Sequence, residues 1–181
     1  MKVRILLLLV AAAAVFSAAT MSSRAQEPTA AGLWQKLDDD TKKPLIWFLF
    51  VDKGGVFEGY AAKLFPQPGE SPNPNCIRCT DDRKGAPMLG LPMIRGMKRA
   101  GLKYEDGTVL DPRDGKVYSA VMTLDPGKGT LTLRGYIGIQ LLGSNDIWYK
   151  VPDTGYKEVD PAVLAKYAPE RLETKKGKAK K

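Results

Sequence analysis

The sequence predicts an all-β fold: a single antiparallel β-barrel of about eight strands, then a short C-terminal helix and a disordered basic tail. Three observations predict it. Short runs rich in aromatic and β-branched residues recur from Gly32 to Val151. Clusters of Gly, Pro and Asp separate these runs at hairpin spacing, and no long stretch of helical period lies between them. A meander of that size removes its open edges most simply by closing on itself.

After a linker of small and polar residues, 26–31, the first strand covers 32–37 and ends in the polar turn 38–43. Leu45-Ile46-Trp47-Phe48-Leu49-Phe50-Val51 reads as a buried strand closed by the turn Asp52-Lys53-Gly54-Gly55, with its partner over 56–65. Segment 66–92 holds six prolines, three glycines and both cysteines, the composition of a long ordered loop. Strand signals return at 93–97 and 102–104, and Glu105-Asp106-Gly107 reads as a turn feeding 108–110. Asp111-Pro112-Arg113-Asp114-Gly115 turns the chain again, since Pro pre-sets one backbone angle and Gly accepts a positive one. Over 116–124, Tyr118, Ala120, Met122 and Leu124 share a face. Beyond the turn at 125–129, Leu131, Leu133, Ile137 and Ile139 alternate with polar or amphipathic neighbours, the clearest period-two pattern in the chain. A last strand near 146–151 carries Trp148, so the barrel domain is expected over 32–155. Within 156–181, Asp160-Pro161 starts a helix by capping acid and first-turn proline, Pro169 stops it, and a Lys-rich end follows. No internal repeat of solenoid or propeller period is present.

The formal charge of +8 on 181 residues suggests a nucleic-acid binder until the charges are located. Lys2, Arg4 and Arg24 lie before residue 26, and Lys175, Lys176, Lys178, Lys180 and Lys181 end the chain, leaving 26–174 with 20 charges of each sign. A neutral body without groove-reading or stacked-aromatic motifs argues against nucleic acid. The basic tail suits an anionic surface instead. Residues 1–25 have the basic start, apolar centre and small-residue cleavage site of a secretory signal, with a cut expected before Gln26 or, as the alternative, after Ala19. The apolar centre, 5–16, would make only ~18 Å of helix, too short to span a bilayer. A periplasmic or secreted protein that is not integral to the membrane is therefore expected.

The absence of His removes His-based triads and His metal ligands. Cys76-Ile77-Arg78-Cys79 is the sharpest motif left. In an oxidising compartment the pair can clip the long loop, or serve as a redox site if a strained ring is exposed. Its Pro/Asn flank and the acids Asp81 and Asp82 are not the strand-to-helix setting that lowers a thiol pKa, and two thiolates alone do not make a zinc site. The carboxylates at 38–40, Glu105, Asp106, Asp111 and Asp114 are explained by turn chemistry, so no catalytic residue, metal or cofactor is assigned.

Taken together, several segments resemble one exported bacterial family, that of domain of unknown function 2147. They are Gly32-Leu33-Trp34, the Cys76–Cys79 motif, the run from Gly85 to Ile94, Leu110-Asp111-Pro112-Arg113-Asp114-Gly115-Lys116-Val117-Tyr118, the run from Leu131 to Gly138, and Leu142-Gly143 through Trp148. The resemblance covers about 31–151 and implies a small lipocalin-like barrel of the cell envelope, with no established activity. This chain has Lys150 where the family commonly has Arg, replacing a planar, stackable group at the barrel closure with a point charge.

The resulting expectation is an exported, non-catalytic barrel whose interior holds one small apolar ligand against Trp34, Trp47, Phe57, Tyr118 and Met122. A second reading is an envelope interaction or stress protein that recognises a partner through Arg78 and Arg83 of the Cys loop. A third is a thiol–disulfide module using Cys76 and Cys79.

Overall fold

The computed structural model describes residues 27–172. The expected signal segment 1–25, residue 26 and the Lys-rich end 173–181 lie outside the described residues. Eight strands follow one another as β1 (Gly32–Leu37), β2 (Pro44–Asp52), β3 (Val56–Leu64), β4 (Pro92–Ala100), β5 (Lys103–Asp111), β6 (Lys116–Asp125), β7 (Thr130–Tyr136) and β8 (Ser144–Lys150). Each pairs antiparallel with the next, and β8 returns to β1 to close the barrel. The closing seam is short, pairing Trp34 with Lys150, Gln35 with Tyr149 and Lys36 with Trp148.

Two local expectations fail for identifiable reasons. The expected turn Glu105-Asp106-Gly107 is a bulge within β5, where the register with β6 shifts between Tyr104 and Gly107 and Asp106 takes φ 61°. Gly107 has no side chain there because a Cβ would sit 2.0 Å from Met97 Sδ. Ile137 and Ile139 do not continue β7. Gly138 takes φ 73°, a 3₁₀ turn forms over Gln140–Leu142, and both isoleucines stay exposed.

The barrel's main core contains Trp34, Phe48, Phe50, Phe57, Ile94, Met97, Tyr104, Met122, Leu131 and Trp148. The long loop between β3 and β4 packs Cys76, Cys79, Met88 and Leu91 onto it. That loop is tied down by the Cys76–Cys79 disulfide, by the Asn75–Pro87 bridge and by Arg83. Arg83 donates to Asp81 and to the Pro92 carbonyl at 2.8 Å.

A second core forms on the outer side of β1–β3. Leu33, Trp47, Leu49 and Ala62 are covered by Val151, Tyr156, Val159, Val163, Leu164 and Ala168 of the C-terminal segment. This segment contains a 3₁₀ helix, Asp153–Glu158, and α1 (Pro161–Tyr167), capped as expected by Asp160 accepting from the Ala162 N–H at 2.7 Å. Tyr167 stacks on Tyr60 at 3.6 Å and donates to the Gly90 carbonyl, joining helix, barrel and long loop. The last part of the expected linker is also structural, since Ala30 is fully buried.

Candidate functional site

The two ends of the barrel differ. At one end lie the β2–β3, β4–β5 and β6–β7 hairpins together with the chain entering β1. Here Ala30 plugs the barrel: its N–H donates to Tyr104 Oη at 2.7 Å and its carbonyl accepts from Trp34 Nε1 at 2.7 Å. Lys150 Nζ lies 4.7 Å from the Trp34 ring centroid and donates to the Ala31 carbonyl at 2.7 Å. The lysine thus still caps the tryptophan, as a point charge over the ring rather than a stacked plane. Much of Lys150 remains at the surface, but its ammonium end is packed in, and that desolvation lowers its pKa.

The other end is open. A cavity of about 820 Å³ enters the barrel between the β1–β2 and β5–β6 turns and the start of β8. Strand register brings its lining together. Residues directly opposite in an antiparallel pair share a face, and the pairs are Lys36 with Ile46 and Trp148, Ile94 with Val109, Val109 with Tyr118, and Leu133 with Asp146. Phe48 and Trp148 make an aromatic floor, stacked at 4.1 Å and 14°. Trp148 Nε1 is buried with no hydrogen-bond partner among the described residues.

Above the apolar floor stand four charges. Lys36 pairs with Asp146 across the β1–β8 seam. Arg113 grips Asp111 through Nε at 3.0 Å and Nη2 at 2.6 Å. The Arg113 hydrogen bonds hold the Asp111 carboxyl below its usual range, and Lys36 adds a smaller effect in the same direction. Asp111 in turn raises Arg113, with lesser help from Asp146. The two pairs therefore act on each other across the opening. Tyr118 donates to Asp114 Oδ2 at 2.6 Å; this bond lowers the carboxyl pKa and raises that of the phenol.

Of the ligand residues expected from sequence, Tyr118 lines this cavity. Trp34, Phe57 and Met122 are buried in the main core but do not reach the cavity wall. Trp47 requires correction. Neighbouring residues on β2 point to opposite faces, so Phe48 takes the interior while Trp47 packs in the second core against Phe65. Arg83 is also corrected as a recognition residue: it is 2% exposed and spent on Asp81 and Pro92. Arg78 is exposed and donates to the Arg113 carbonyl at 2.9 Å. Both cysteines of the disulfide are buried. Sequence reasoning missed Lys36, Phe48 and Asp146, and it explained Asp111 by its turn alone. Inward parity along each strand carried a signal for them, but only the pairing register reveals that they meet. Among the described residues, no three His, Cys, Asp or Glu side chains are grouped to hold a metal ion, and no helix is long and apolar enough to cross a membrane.

A family model described as an uncharacterized protein conserved in bacteria, DUF2147, matches residues 32–150, from the first residue of β1 to the last of β8. A solved structure, protein HP1028 from Helicobacter pylori, described as belonging to the lipocalin family, superposes with a TM-score of 0.60. It is 17% identical, with 72% of this chain and 89% of that one covered, so the likeness concerns the fold. No curated protein matches the chain.

Proposed function

Because this chain belongs to the bacterial family DUF2147 and folds as a lipocalin-like barrel open at one end, we propose that it is a non-catalytic binding protein for a small, largely apolar ligand. The single observation that carries this reading is the cavity of about 820 Å³, with Phe48 and Trp148 stacked at its floor and one barrel end left open. Its size falls in the range of small-molecule sites, roughly 300–1,000 Å³, which are mostly apolar with a few polar groups for orientation. The test is a native mass spectrum and an organic extract of protein purified from its own cells. A stoichiometric small molecule that quenches tryptophan fluorescence on re-addition is the expected result. Empty protein, together with a solved structure whose side chains fill the opening, overturns the reading.

We place this binding protein in the cell envelope. The support is the export-type segment 1–25 and the absence of charge from 5–16. Fractionation of native cells, with amino-terminal sequencing of the mature chain, is expected to return envelope material starting at Gln26. Unprocessed cytosolic protein overturns the placement.

A second reading has one specific observation in its favour. Ile77 is 77% exposed at the tip of a loop clipped by the disulfide, beside exposed Arg78. A rigid apolar tip with an adjacent cation suits recognition of an envelope protein. Crosslinking from position 77 in native envelopes tests it: one recurrent adduct, lost in Arg78→Ala, supports a partner, while scattered adducts remove the reading. Burial of both cysteines weighs against the thiol–disulfide module, because an exchanging thiolate must reach sulfur.

A further inference from the structure

The chemistry of the opening narrows the class of ligand, and the narrowing rests on the ligand-binding reading above. Four side chains from three strands and one turn meet there with alternating sign: Lys36 on β1, Asp146 on β8, Arg113 in the β5–β6 turn and Asp111 at the end of β5. Lys36–Asp146 and Arg113–Asp111 are the direct pairs. All four line the one opening, so the two bridges stand together as a single rim circuit, within which Lys36 also favours the Asp111 charge and Asp146 that of Arg113 to a lesser degree. Lys36, Asp146 and Asp111 are 26%, 31% and 25% exposed at the side chain, which limits how far solvent can replace a lost partner, whereas Arg113 is 83% exposed.

The other charged residues lining the cavity belong to the β1–β2 turn, where Asp38 and Lys42 are bound and Asp39 stands exposed. Asp38 accepts from the Thr41 N–H and hydroxyl, each at 2.7 Å, and Lys42 donates to the Asp39 carbonyl. Asp39 lies in the same turn. Directly below the circuit are the apolar side chains of Ile46, Phe48, Ile94, Leu133 and Trp148.

A headgroup entering this circuit must leave every ion with a partner. A lone carboxylate drawn to Lys36 adds a second negative charge beside Asp146, and a lone ammonium drawn to Asp146 adds a second positive charge beside Lys36. In each case like-charge repulsion at a partly buried site offsets the new contact. A headgroup carrying one cation and one anion avoids that cost, because its cation replaces Lys36 or Arg113 at the acids while its anion replaces the acids at the bases. We propose that the barrel takes a zwitterionic amphiphile, its chain on the Phe48–Trp148 floor and its dipolar head in the Lys36–Asp146–Arg113–Asp111 circuit. Discrimination here comes as much from the penalty on singly charged heads as from attraction to the zwitterion.

The experiment uses the full mature chain and three probes with the same twelve-carbon tail: dodecylphosphocholine, dodecanoate and dodecyltrimethylammonium. All are kept below their micelle concentrations at low ionic strength and followed by calorimetry and tryptophan fluorescence. The phosphocholine is expected to bind about tenfold more tightly than either singly charged probe. Equal affinities, or a tighter singly charged probe, overturn the zwitterion assignment and leave the apolar-ligand reading standing. If none of the three binds, the zwitterion assignment falls, and the organic extract decides the apolar-ligand reading. Two variants keep the test independent of any loss of fold. Lys36→Met leaves the circuit net negative and shifts preference toward the trimethylammonium probe. Asp146→Asn leaves it net positive and shifts preference toward dodecanoate. Opposite shifts in two variants cannot come from a common loss of structure, and a rank order unmoved by both overturns the assignment.

Discussion

The closed and open ends of the barrel have different physical chemistry. At the closed end every polar group that goes in finds a partner: the Ala30 N–H, the Ala30 carbonyl, the Trp34 indole and the Lys150 ammonium. Phe57 completes it with an edge contact onto Tyr104 at 4.9 Å. At the open end a buried indole N–H has no partner, ion pairs stand at the rim, and aliphatic side chains of the β7–β8 loop face solvent. The contrast separates an end shut by paired polar groups from an end that leaves a cavity, the one through which the proposed ligand would enter. Stability should therefore concentrate at the first, and sensitivity to ligand at the second.

The largest effect that would break this division is expected from Trp34→Ala. It removes a fully buried indole and leaves the Ala30 carbonyl without its donor, for which large-to-small core changes suggest a loss of roughly 3–5 kcal/mol. Urea denaturation measures it. A loss below about 1 kcal/mol would mean that the plug is not what holds the barrel together.

Next comes the long loop, anchored beside β4 by a buried ion pair. Arg83→Met leaves the Pro92 carbonyl without its side-chain donor and Asp81 with only the residue-83 N–H, and removing one partner of such a pair is expected to cost about 3 kcal/mol, somewhat less here because Asp81 is partly exposed. The pH dependence makes the test specific. The Arg83 hydrogen bonds hold Asp81 at about 2, below its ordinary value of 3.8. Its contribution is thus complete above the unfolded value and disappears as pH falls from 3.8 toward 2. Wild-type melting temperature should drop across that window, and the part due to Asp81 should be smaller in Arg83→Met, where only the residue-83 N–H still donates to the carboxylate. An identical acid limb in both proteins would remove Arg83 as the anchor.

A smaller change sharpens the picture of the plug. Tyr104→Phe keeps the ring on Phe57 and removes only the hydroxyl that accepts from Ala30. An unsatisfied buried N–H costs about 1–3 kcal/mol. The Ala30 amide should lose hydrogen-exchange protection before the strands do. If protection at Ala30 survives, the hydroxyl is not what holds the segment.

Much of this fold was legible because strand faces and turns are written locally. The runs at 32–37 and 56–65, the turn at Asp111–Gly115 and the cap at Asp160 needed only neighbours to be read. Where sequence and structure part, a distant residue decides. Asp106 becomes a bulge because Met97, on the preceding strand, needs the space over Gly107. Trp47 and Phe48 are equally apolar, and only the C-terminal segment packing outside β2 makes one an outer and the other an inner residue. The rim circuit was the least legible of all: Lys36 and Asp146 are 110 positions apart and meet only when β1 and β8 close the barrel.

The smallest effect on stability concerns the most conspicuous surface of the open end. Leu141 and Leu142 are 82% and 77% exposed, yet the loop that carries them is held in shape by something else. Arg134 donates to the Gln140 carbonyl at 2.7 Å, to the Leu141 carbonyl at 2.8 Å and to Asn145 Oδ1 at 2.7 Å. A guanidinium fork thus fixes the backbone, and the leucine side chains contribute little to holding it. The double change Leu141→Ser, Leu142→Ser should shift stability by no more than about 0.5 kcal/mol, whereas Arg134→Met should shift it further and release hydrogen-exchange protection at the Gly143 amide. A reversed order, with the serine pair more damaging, would show that the leucines pack on something in solution. The open end would then be a covered surface, and its difference from the plugged end would lie in which partner closes it.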